Sequence, residues 1–244
     1  MTDTKELTGK VVLVTGASRG IGYATALEAA RRGAHVIAVA RTVGGLEELD
    51  DAIQELGGSS TLVPLDLRDG DAIDRLGAAI FERWGHLDGL VANAGLLGVL
   101  SPVPHIKPDE FDKVMSVNVT ANFRLLRSLD LLLRQSEAGR AVFVSSSAAK
   151  SAKAFWGLYA ASKAALDALV KSYAGELGET GVKANILYPG AVRTAMRAKA
   201  MPGEDPETLP SPADIAPRVA DLLSPGLAEN GKIYNVDTGA FEDI

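Results

Sequence analysis

A short apolar run that leads into a glycine-rich turn constrains the fold of this chain more than any other feature. Val11–Thr15 (VVLVT) is an uninterrupted run of the kind found in strands buried on both faces. It continues into GASRGIG, whose glycines permit a tight turn and let a phosphate approach the N-terminus of the alanine-rich helix that follows. Incidental glycines at a helix N-terminus are the alternative, but strand, turn and helix in this order favour a nucleotide-binding site. The nucleotide contacts expected here are Gly16, Ser18, Arg19, Gly20, Ile21 and Gly22.

Apolar runs and helical stretches alternate along the chain. Strands are predicted at 11–15, 36–40, 61–65, 87–92, 141–145, 182–188 and 232–236, with a long helix at 108–133 and another from Tyr159 to about Leu177. This alternation predicts one doubly wound, Rossmann-type α/β domain over residues 1–244, with a parallel seven-stranded sheet and helices on both faces. Segment 201–212 is rich in Pro, Gly and acidic residues, and we expect it to be a mobile part of a short substrate loop at about 195–212.

Composition limits the possible partners. The 244 residues include 25 basic and 31 acidic side chains, a net charge of −6 without a basic run, which argues against binding to nucleic acids or anionic membranes. The absence of cysteine excludes disulfides and thiol nucleophiles, and three histidines at no ligand spacing argue against a metal site. No apolar signal segment begins the chain and no apolar run could span a bilayer, so we expect a cytoplasmic protein.

The segment WGLYAASK places Tyr159 and Lys163 four residues apart among helix-favouring alanines. Positions i and i+4 share one face of a helix. An ammonium beside a phenol favours the phenolate, so Lys163 is expected to lower the pKa of Tyr159 towards neutrality and to fit it for proton transfer. A chance Tyr–Lys pair on a half-exposed helix is the alternative.

The motif Gly-x-x-x-Gly-x-Gly together with Tyr-x-x-x-Lys resembles the short-chain dehydrogenase/reductase family, in its short single-domain branch, over roughly residues 7–239. Further matches occur in the family's order. They are Asp66-Leu67 after the third strand, Asn93-Ala94-Gly95 after the fourth, Asn118 on the long helix, Ser146 before Tyr159, and Pro189-Gly190-Ala191-Val192-Arg193-Thr194 after the sixth. Two positions depart from the family: Ala92 replaces the first Asn of an Asn-Asn-Ala-Gly motif, and Thr238 replaces a glycine in Val-Asp-Gly-Gly.

The resemblance implies hydride transfer between a nicotinamide and a carbonyl, which leaves an alkoxide that needs a proton and hydrogen-bond donors. Tyr159 can supply the proton and Ser146 a second donor, with Ser145 and Ser147 as rivals. By resemblance, Lys163 also holds the nicotinamide ribose and Asn118 holds a water for proton relay; Asn118 could instead be a satisfied amide in a helix bend. The remaining implied cofactor contacts are Asp66 and Leu67 at the adenine, Asn93, Ala94 and Gly95 after the fourth strand, and Pro189, Gly190, Val192 and Thr194 at the nicotinamide.

The end of the second strand bears on the choice of cofactor. An acidic residue there binds the ribose 2′-hydroxyl of NAD and repels a 2′-phosphate, but this position is Ala40, followed by Arg41. Arg19 in the glycine turn is a second cation. Because arginine pairs bidentately with phosphate, the sequence favours NADP over NAD. Solvated surface arginines are the alternative.

The resemblance predicts a mostly apolar substrate pocket, and so an apolar carbonyl or secondary alcohol as substrate. Its lining would be Leu96, Leu97, Ala148, Phe155, Trp156 and the loop after Thr194, with Lys150, Lys153, Arg193 and Arg197 within reach of the rim. Leu96, Leu97 and Phe155 could equally belong to the core or to a subunit interface.

The favoured function is an NADP(H)-dependent oxidoreductase with Tyr159 as general acid/base. A lyase or epimerase of the same fold is a rival that usually has a larger C-terminal domain, and a non-catalytic dinucleotide-binding sensor usually lacks the Tyr or the Lys. The resemblance also implies a homotetramer or homodimer built on helix 108–133 and on the Tyr159 helix.

Overall fold

The computed structural model of the chain describes residues 5–244. Eight strands in this part form one sheet in the order β3-β2-β1-β4-β5-β6-β7-β8. The strands are β1 Val11–Thr15, β2 His35–Ala40, β3 Ser59–Pro64, β4 Gly89–Ala92, β5 Arg140–Val144, β6 Lys183–Tyr188, β7 Lys232–Asn235 and β8 Ala240–Asp243. The helices are α1 Gly20–Arg31, α2 Val43–Glu55, α3 Gly70–Trp84, α4 Pro108–Met115, α5 Ala121–Gln135, α6 Ala148–Ser151, α7 Gly157–Glu176, α8 Ala195–Ala200 and α9 Pro212–Asp221.

Helices cover both faces of the sheet, as the alternating pattern predicts. Successive side chains of a strand point to opposite faces, so β1 contributes Leu13 to one apolar core and Val12 and Val14 to the other. The first core packs α3, α5 and α7 against the sheet, and the second packs α1, α2 and α9. Such a strand is buried on both sides, which explains why it has no polar alternation in the sequence. The doubly wound α/β fold class is confirmed.

Two features of the architecture differ from the sequence prediction. An eighth strand, β8, pairs antiparallel with β7 at the edge of the seven parallel strands. The expected helix 108–133 consists of α4 and α5 joined by a π-helical segment, Ser116–Thr120, which contains Asn118. A π segment widens the helix by one residue per turn and is common at functional sites. Within residues 5–244 no helix combines the length and apolar character needed to cross a bilayer.

Hydrogen-bonded charges fasten the amino ends of the parallel strands. The Asp88 carboxylate accepts hydrogen bonds from Ser136 Oγ at 2.6 Å, from the Val11 amide at 2.9 Å and from Lys10 Nζ at 3.2 Å. Burial acts to raise the pKa of Asp88, but these donors outweigh it and hold the pKa below its usual value. The buried Arg140 guanidinium, at the start of β5, donates to the carbonyls of Ser224, Gly139, Gly181, Pro225 and Leu227.

Candidate active site

The glycine turn lies at the carboxyl end of β1 and forms an open cradle of backbone groups. Gly16 and Gly20 adopt positive φ angles of 66° and 62°, which glycine tolerates at least cost. A Cβ on Gly22 would lie 2.3 Å from the Gly16 carbonyl oxygen, so a side chain there cannot be accommodated without movement. Arg19 is the N-cap of α1 and its side chain makes no capping bond. The turn therefore has the backbone geometry and, at the N-terminus of α1, the free N–H groups that a phosphate requires.

The loop after β4 is tied to this turn by Asn93. Its Nδ2 donates to the Thr15 carbonyl at 2.9 Å, and Thr15 Oγ1 accepts from the amides of Asn93 and Ala94 at 3.0 and 3.1 Å. Ala92, where the sequence departs from the family motif, is buried in the core, so its position here is a packing one. Gly95 faces the catalytic candidates, since a Cβ on it would lie 3.5 Å from both Asn118 Oδ1 and Lys163 Nζ.

The end of β2 places positive charge beside the glycine turn. Arg19 and Arg41 are exposed and, within the described chain, neither forms an ion pair. The N-terminal turn of α2 approaches the glycine turn closely, because a Cβ on Gly45 would meet the Ser18 carbonyl oxygen at 2.8 Å. Asp66, the expected adenine contact, is hydrogen-bonded by Arg68, which lowers its pKa to about 2.

Tyr159 and Lys163 lie on one face of α7 and both are buried, being 8% and 3% exposed. Lys163 Nζ lies 5.9 Å from the centroid of the Tyr159 ring and donates to the Val144 carbonyl at 2.8 Å. Burial raises the pKa of Tyr159 to about 12, against a smaller opposing effect of Ser146, and burial lowers the pKa of Lys163 to about 8. The expectation of a lowered Tyr159 pKa is therefore wrong for this structure, because desolvation dominates and the charge of Asp167 acts in the same direction.

Ser146 is the one of three consecutive serines that lies near the Tyr159 hydroxyl, whose pKa it lowers. Its Oγ accepts a hydrogen bond from the Ala148 amide at 3.1 Å. Ser147 is exposed at the N-terminus of α6, and Ser145 is buried beside Asp167 instead. Ser145 and Ser147, the alternatives from the sequence, do not lie near the Tyr159 hydroxyl as Ser146 does.

Asn118 is fully buried in the π-helical segment, and both donors of its amide are used while Oδ1 keeps one acceptor position. Oδ1 accepts from the Leu96 amide at 2.8 Å, and Nδ2 donates to the Leu96 carbonyl and to Ser162 Oγ, each at 2.9 Å. Its backbone carbonyl accepts from Asn122 Nδ2 at 2.8 Å. Asn118 is thus a satisfied amide in an irregular helix, and its proximity to Lys163 through Gly95 leaves the relay role open to proposal.

An apolar cluster surrounds Tyr159 on the side away from α7. Trp156 packs edge-on against the Tyr159 ring, with centroids 6.1 Å apart. Of the pocket residues expected from the sequence, Leu97, Ala148 and Trp156 belong to this cluster, whereas Phe155 is 58% exposed and has a positive φ of 70°. Leu96 lies beside it, bound through its backbone to Asn118. Met196 and Ala200 of this cluster lie in the segment after Thr194 that was expected at the pocket, and Leu100 is the one member not expected from the sequence.

The segment after β6 lies over the glycine turn. A Cβ on Gly20 would meet Thr194 Cγ2 at 3.6 Å, and a Cβ on Gly190 would meet Asp237 Oδ1 at 2.2 Å. Thr194 caps α8 by accepting from the Arg197 amide at 3.2 Å, and Val192 is buried in the core beside the sheet. Pro189 follows β6 directly and is partly buried.

The segment 201–212, expected as a mobile loop, is anchored by two ion pairs. Arg193 Nη1 lies 2.7 Å from Glu207, and Arg197 binds both oxygens of Glu204 at 2.6 Å. These arginines, expected at the pocket rim, are therefore paired with acids of the loop itself. Lys150, also expected there, reaches Glu242 of β8 at 3.5 Å, and Lys153 is exposed.

One further polar residue at this site was not found from the sequence. Asp167 is buried on the same face of α7 and accepts a hydrogen bond from the Tyr188 hydroxyl on β6. The available signal was its position four residues after Lys163, which places it on the face shared with Tyr159 and Lys163.

Comparison with known proteins agrees with this arrangement. The family model of the short chain dehydrogenases matches residues 10–205. The chain belongs to the short-chain dehydrogenase/reductase family. It is 41% identical over 214 residues to the uncharacterized oxidoreductase YciK of Escherichia coli K12, covering 86% of this chain and 84% of that protein. In an alignment of 264 positions it is 34% identical to a versicolorin reductase of Emericella nidulans, covering 98% of each chain.

A solved structure of a short chain dehydrogenase from Shigella flexneri 2a, complexed with NADP, superposes with a TM-score of 0.92 at 37% identity, covering 96% of this chain and 99% of that one. As a member of the family, this protein is an NAD(P)-dependent oxidoreductase that acts on an alcohol or carbonyl group of a small molecule.

Proposed function

We propose that this dehydrogenase/reductase uses NADP(H) to interconvert an apolar carbonyl compound and its secondary alcohol, with Tyr159 as general acid/base. The observation that supports this most is the burial of Tyr159 between Ser146, Lys163 and an apolar cluster, at the carboxyl ends of the strands where the glycine turn lies. In open α/β sheets, ligands bind at these strand ends.

The residues present fit a dinucleotide. The glycine turn and the N-terminus of α1 offer free N–H groups to the pyrophosphate, and close backbone contacts leave no space for side chains at Gly16 and Gly22. Asp66 and Leu67 would bound the adenine, while Asn93, Gly95 and the segment from Pro189 to Thr194 would bound the nicotinamide side. When bound, the nicotinamide supplies or accepts the hydride.

The proton chemistry is assigned to this chain's own side chains. With a pKa of about 12, Tyr159 is protonated at neutral pH and can donate its phenolic proton to the more basic alkoxide oxygen that forms on reduction. Ser146 donates a second hydrogen bond to that oxygen. Lys163 balances the resulting phenolate, and Asn118 holds the relay water that returns a proton through Lys163. In the direction of oxidation the same groups remove the alcohol proton.

Preference for NADP rests on charge. Arg19 and Arg41 are exposed cations without an ion-pair partner in residues 5–244, and buried Ala40 stands where a carboxylate would repel a 2′-phosphate. The similar protein from Shigella flexneri is complexed with NADP. These observations support NADP(H) over NAD(H).

The substrate we propose is apolar and carries its reacting oxygen next to a ring or chain without charge. Leu97, Leu100, Trp156 and Met196 surround Tyr159, and the arginines of the loop are already paired with acids. A relative that matches this chain over 98% of both lengths is named as a reductase, versicolorin reductase. We also propose a homodimer or homotetramer assembled through α4, α5 and α7, because Phe111, Phe123 and Leu131 are exposed apolar side chains on the first two.

The test is absorbance of reduced nicotinamide with purified protein, NADPH or NADH, and a panel of aldehydes, ketones and quinones. We expect NADPH to be consumed with apolar ketones and the rate to fall by about 10³-fold in Tyr159→Phe. Tyr173→Phe, which removes a phenol from the same helix away from the site, serves as the matched control. Turnover of small charged keto acids alone would contradict the apolar pocket. Tight NADPH binding without any turnover would instead indicate a cofactor sensor.

A further inference from the structure

Asp167 is a buried carboxylate on the face of α7 that bears Tyr159 and Lys163, and the proposed reaction gives it no task. Its side chain lies one helical turn after Lys163 and two turns after Tyr159, and it is 7% exposed. Desolvating a carboxylate is costly unless it is paired with a charge or well hydrogen-bonded. An acidic residue in this position therefore needs a physical reason.

Its hydrogen bonding is incomplete. Oδ2 accepts from the Tyr188 hydroxyl on β6, but in the described structure no well-formed hydrogen bond reaches Oδ1 or the neighbouring Ser145 hydroxyl. Ser145 is nevertheless close enough to lower the pKa of Asp167. Tyr188 thus holds the carboxylate in place through Oδ2, while Oδ1 has no hydrogen bond that would reduce its negative potential.

The charged and titratable groups facing Asp167 come from four elements. Lys163 and Tyr159 belong to α7, Lys150 to α6, Tyr188 to β6, and Glu242 of β8 faces Tyr188 from the sheet edge. Lys150 has half its side chain exposed and reaches Glu242 at 3.5 Å, so its charge is already shared. The buried cation left to balance Asp167 is Lys163.

Lys163 and Asp167 form no ion pair within 4.0 Å, Lys163 Nζ being bound to the Val144 carbonyl, but each acts on the charge of the other at longer range. Burial lowers the pKa of Lys163 to about 8, and the negative charge of Asp167 opposes that fall. Burial holds the pKa of Asp167 above its usual value, and the nearby Ser145 and Tyr188 hydroxyls together with the positive charge of Lys163 lessen that rise. Each group thus favours the charged form of the other.

We propose, building on the function proposed above, that Asp167 is a positioning residue. Its buried carboxylate, held by Tyr188, keeps Lys163 in its ammonium form one helical turn after Tyr159. Removing that negative charge makes the first proton of the Tyr159–Lys163 pair easier to lose, whichever of the two groups releases it. Catalysis that needs a protonated Tyr159 and a charged Lys163 would then fail at lower pH.

The test compares wild type with Asp167→Asn. We expect the alkaline limb of kcat/KM for NADPH-dependent reduction to move down by about one pH unit, the lower end of what a nearby charge supplies. In the cofactor-free protein, NMR of nitrogen-15-labelled lysine should show the Lys163 transition, assigned by its loss in Lys163→Met, moving by a similar amount. A purely structural role would lower stability without moving either midpoint.

Matched variants separate charge from packing. Asp130→Asn removes a carboxylate that likewise accepts from a tyrosine, Tyr173 at 2.8 Å, but lies on α5, and it should leave both midpoints unchanged. Asp167→Glu keeps the charge and should stay near wild type. Should Asp167→Asn fail to fold, Asp167→Ser provides a smaller neutral side chain.

Unmoved midpoints in the folded neutral variants, or an equal shift in Asp130→Asn, would overturn the proposal. If wild type reduces no substrate, the proposed function fails, and the lysine titration alone still decides the role of Asp167.

Discussion

The two ends of the parallel strands treat polar groups in opposite ways. At the amino ends, Asp88 has four polar partners at 3.2 Å or less, which are Ser136, the Val11 amide, Lys10 and His86, and Arg140 donates to five carbonyls. At the carboxyl ends, Lys163 donates one hydrogen bond, Ser145 and one oxygen of Asp167 have none, and no carboxylate pairs with Arg19 or Arg41 within residues 5–244. Both ends contain buried charge, but only at the amino ends do the charged groups have all their hydrogen bonds.

The difference shows where the chain uses polar groups for stability and where it keeps them available. An unmade hydrogen bond in a buried place costs free energy, and native proteins accept that cost mainly at functional sites. Removal of a polar side chain should therefore lower stability at the amino ends, whereas at the carboxyl ends it should lower ligand affinity or activity at little cost in stability.

The largest effect on stability is expected at the amino ends of the strands, for Arg140→Met. The variant removes five hydrogen bonds to buried or partly buried carbonyls, and we expect the free energy of unfolding to fall by about 3 kcal/mol or more. Urea denaturation followed by circular dichroism measures it. Arg134→Met, which removes a partly exposed arginine paired with Asp130, should cost no more than about 0.5 kcal/mol. A small loss for Arg140→Met would show that the carbonyls are hydrated instead.

At the carboxyl ends of the strands, Gly22→Ala should abolish nucleotide binding and lower the free energy of unfolding by about 2 kcal/mol. The new Cβ would lie 2.3 Å from the Gly16 oxygen and 2.4 Å from Asn93 Nδ2, so the cradle must distort. Gly44→Ala is the matched control, since a Cβ there meets nothing within 4 Å. Titration of NADPH by fluorescence distinguishes the two, and unaltered binding in Gly22→Ala would refute the cradle.

Sequence patterns sufficed for the features that depend on local periodicity and on motif spacing. Strands such as β1 show their burial in an unbroken apolar run, and the glycine turn is readable because backbone geometry alone demands its glycines. The short edge strand β8 has no such run, and nothing in the spacing around Asn118 indicates a π segment. The π segment depends on Leu96 and Ser162, which are distant in sequence, whereas β8 forms a local hairpin with β7 that its short sequence does not announce.

Electrostatic details were the least predictable part of the site. The sequence places Lys163 near Tyr159, but the direction of the Tyr159 pKa shift depends on the burial of its ring among Leu97, Ala148 and Trp156. The function of Asp167 likewise depends on Tyr188, which is distant in sequence and reaches it only through the packing of α7 on β6. Such effects require the tertiary structure.

The Asp88 cluster makes a prediction about pH. Because the folded state holds the pKa of Asp88 below its unfolded value of about 3.9, the carboxylate contributes stability above that pH and loses it as pH falls through the folded pKa. Asp88→Asn should cost about 1–2 kcal/mol at neutral pH, and the difference from wild type should shrink below about pH 4. Exposed Asp74→Asn is the control. A difference that stays constant to pH 2 would mean packing, not charge, holds this end together.

The smallest effect on the free energy of unfolding is expected for Arg41→Ala, at the carboxyl ends of the strands. Its guanidinium has no ion-pair partner in the part of the chain that the structure describes, so unfolding free energy should change by less than about 0.5 kcal/mol. Loss of a charge-assisted bond to a 2′-phosphate costs about 1.5–3 kcal/mol, so the Kd of NADPH should rise at least tenfold while that of NADH stays unchanged.

Arg31→Ala is the control for Arg41→Ala, since it removes the same charge from the far end of α1, where Arg31 pairs with Glu28. An equal weakening of both nucleotides in Arg41→Ala would show that the arginine acts on the shared pyrophosphate. No change for either nucleotide would leave Arg19 as the cation that recognises NADP. The unpaired charge of Arg41 would then be an ordinary surface charge, and the contrast between the two ends of the sheet would narrow to the buried residues around Lys163.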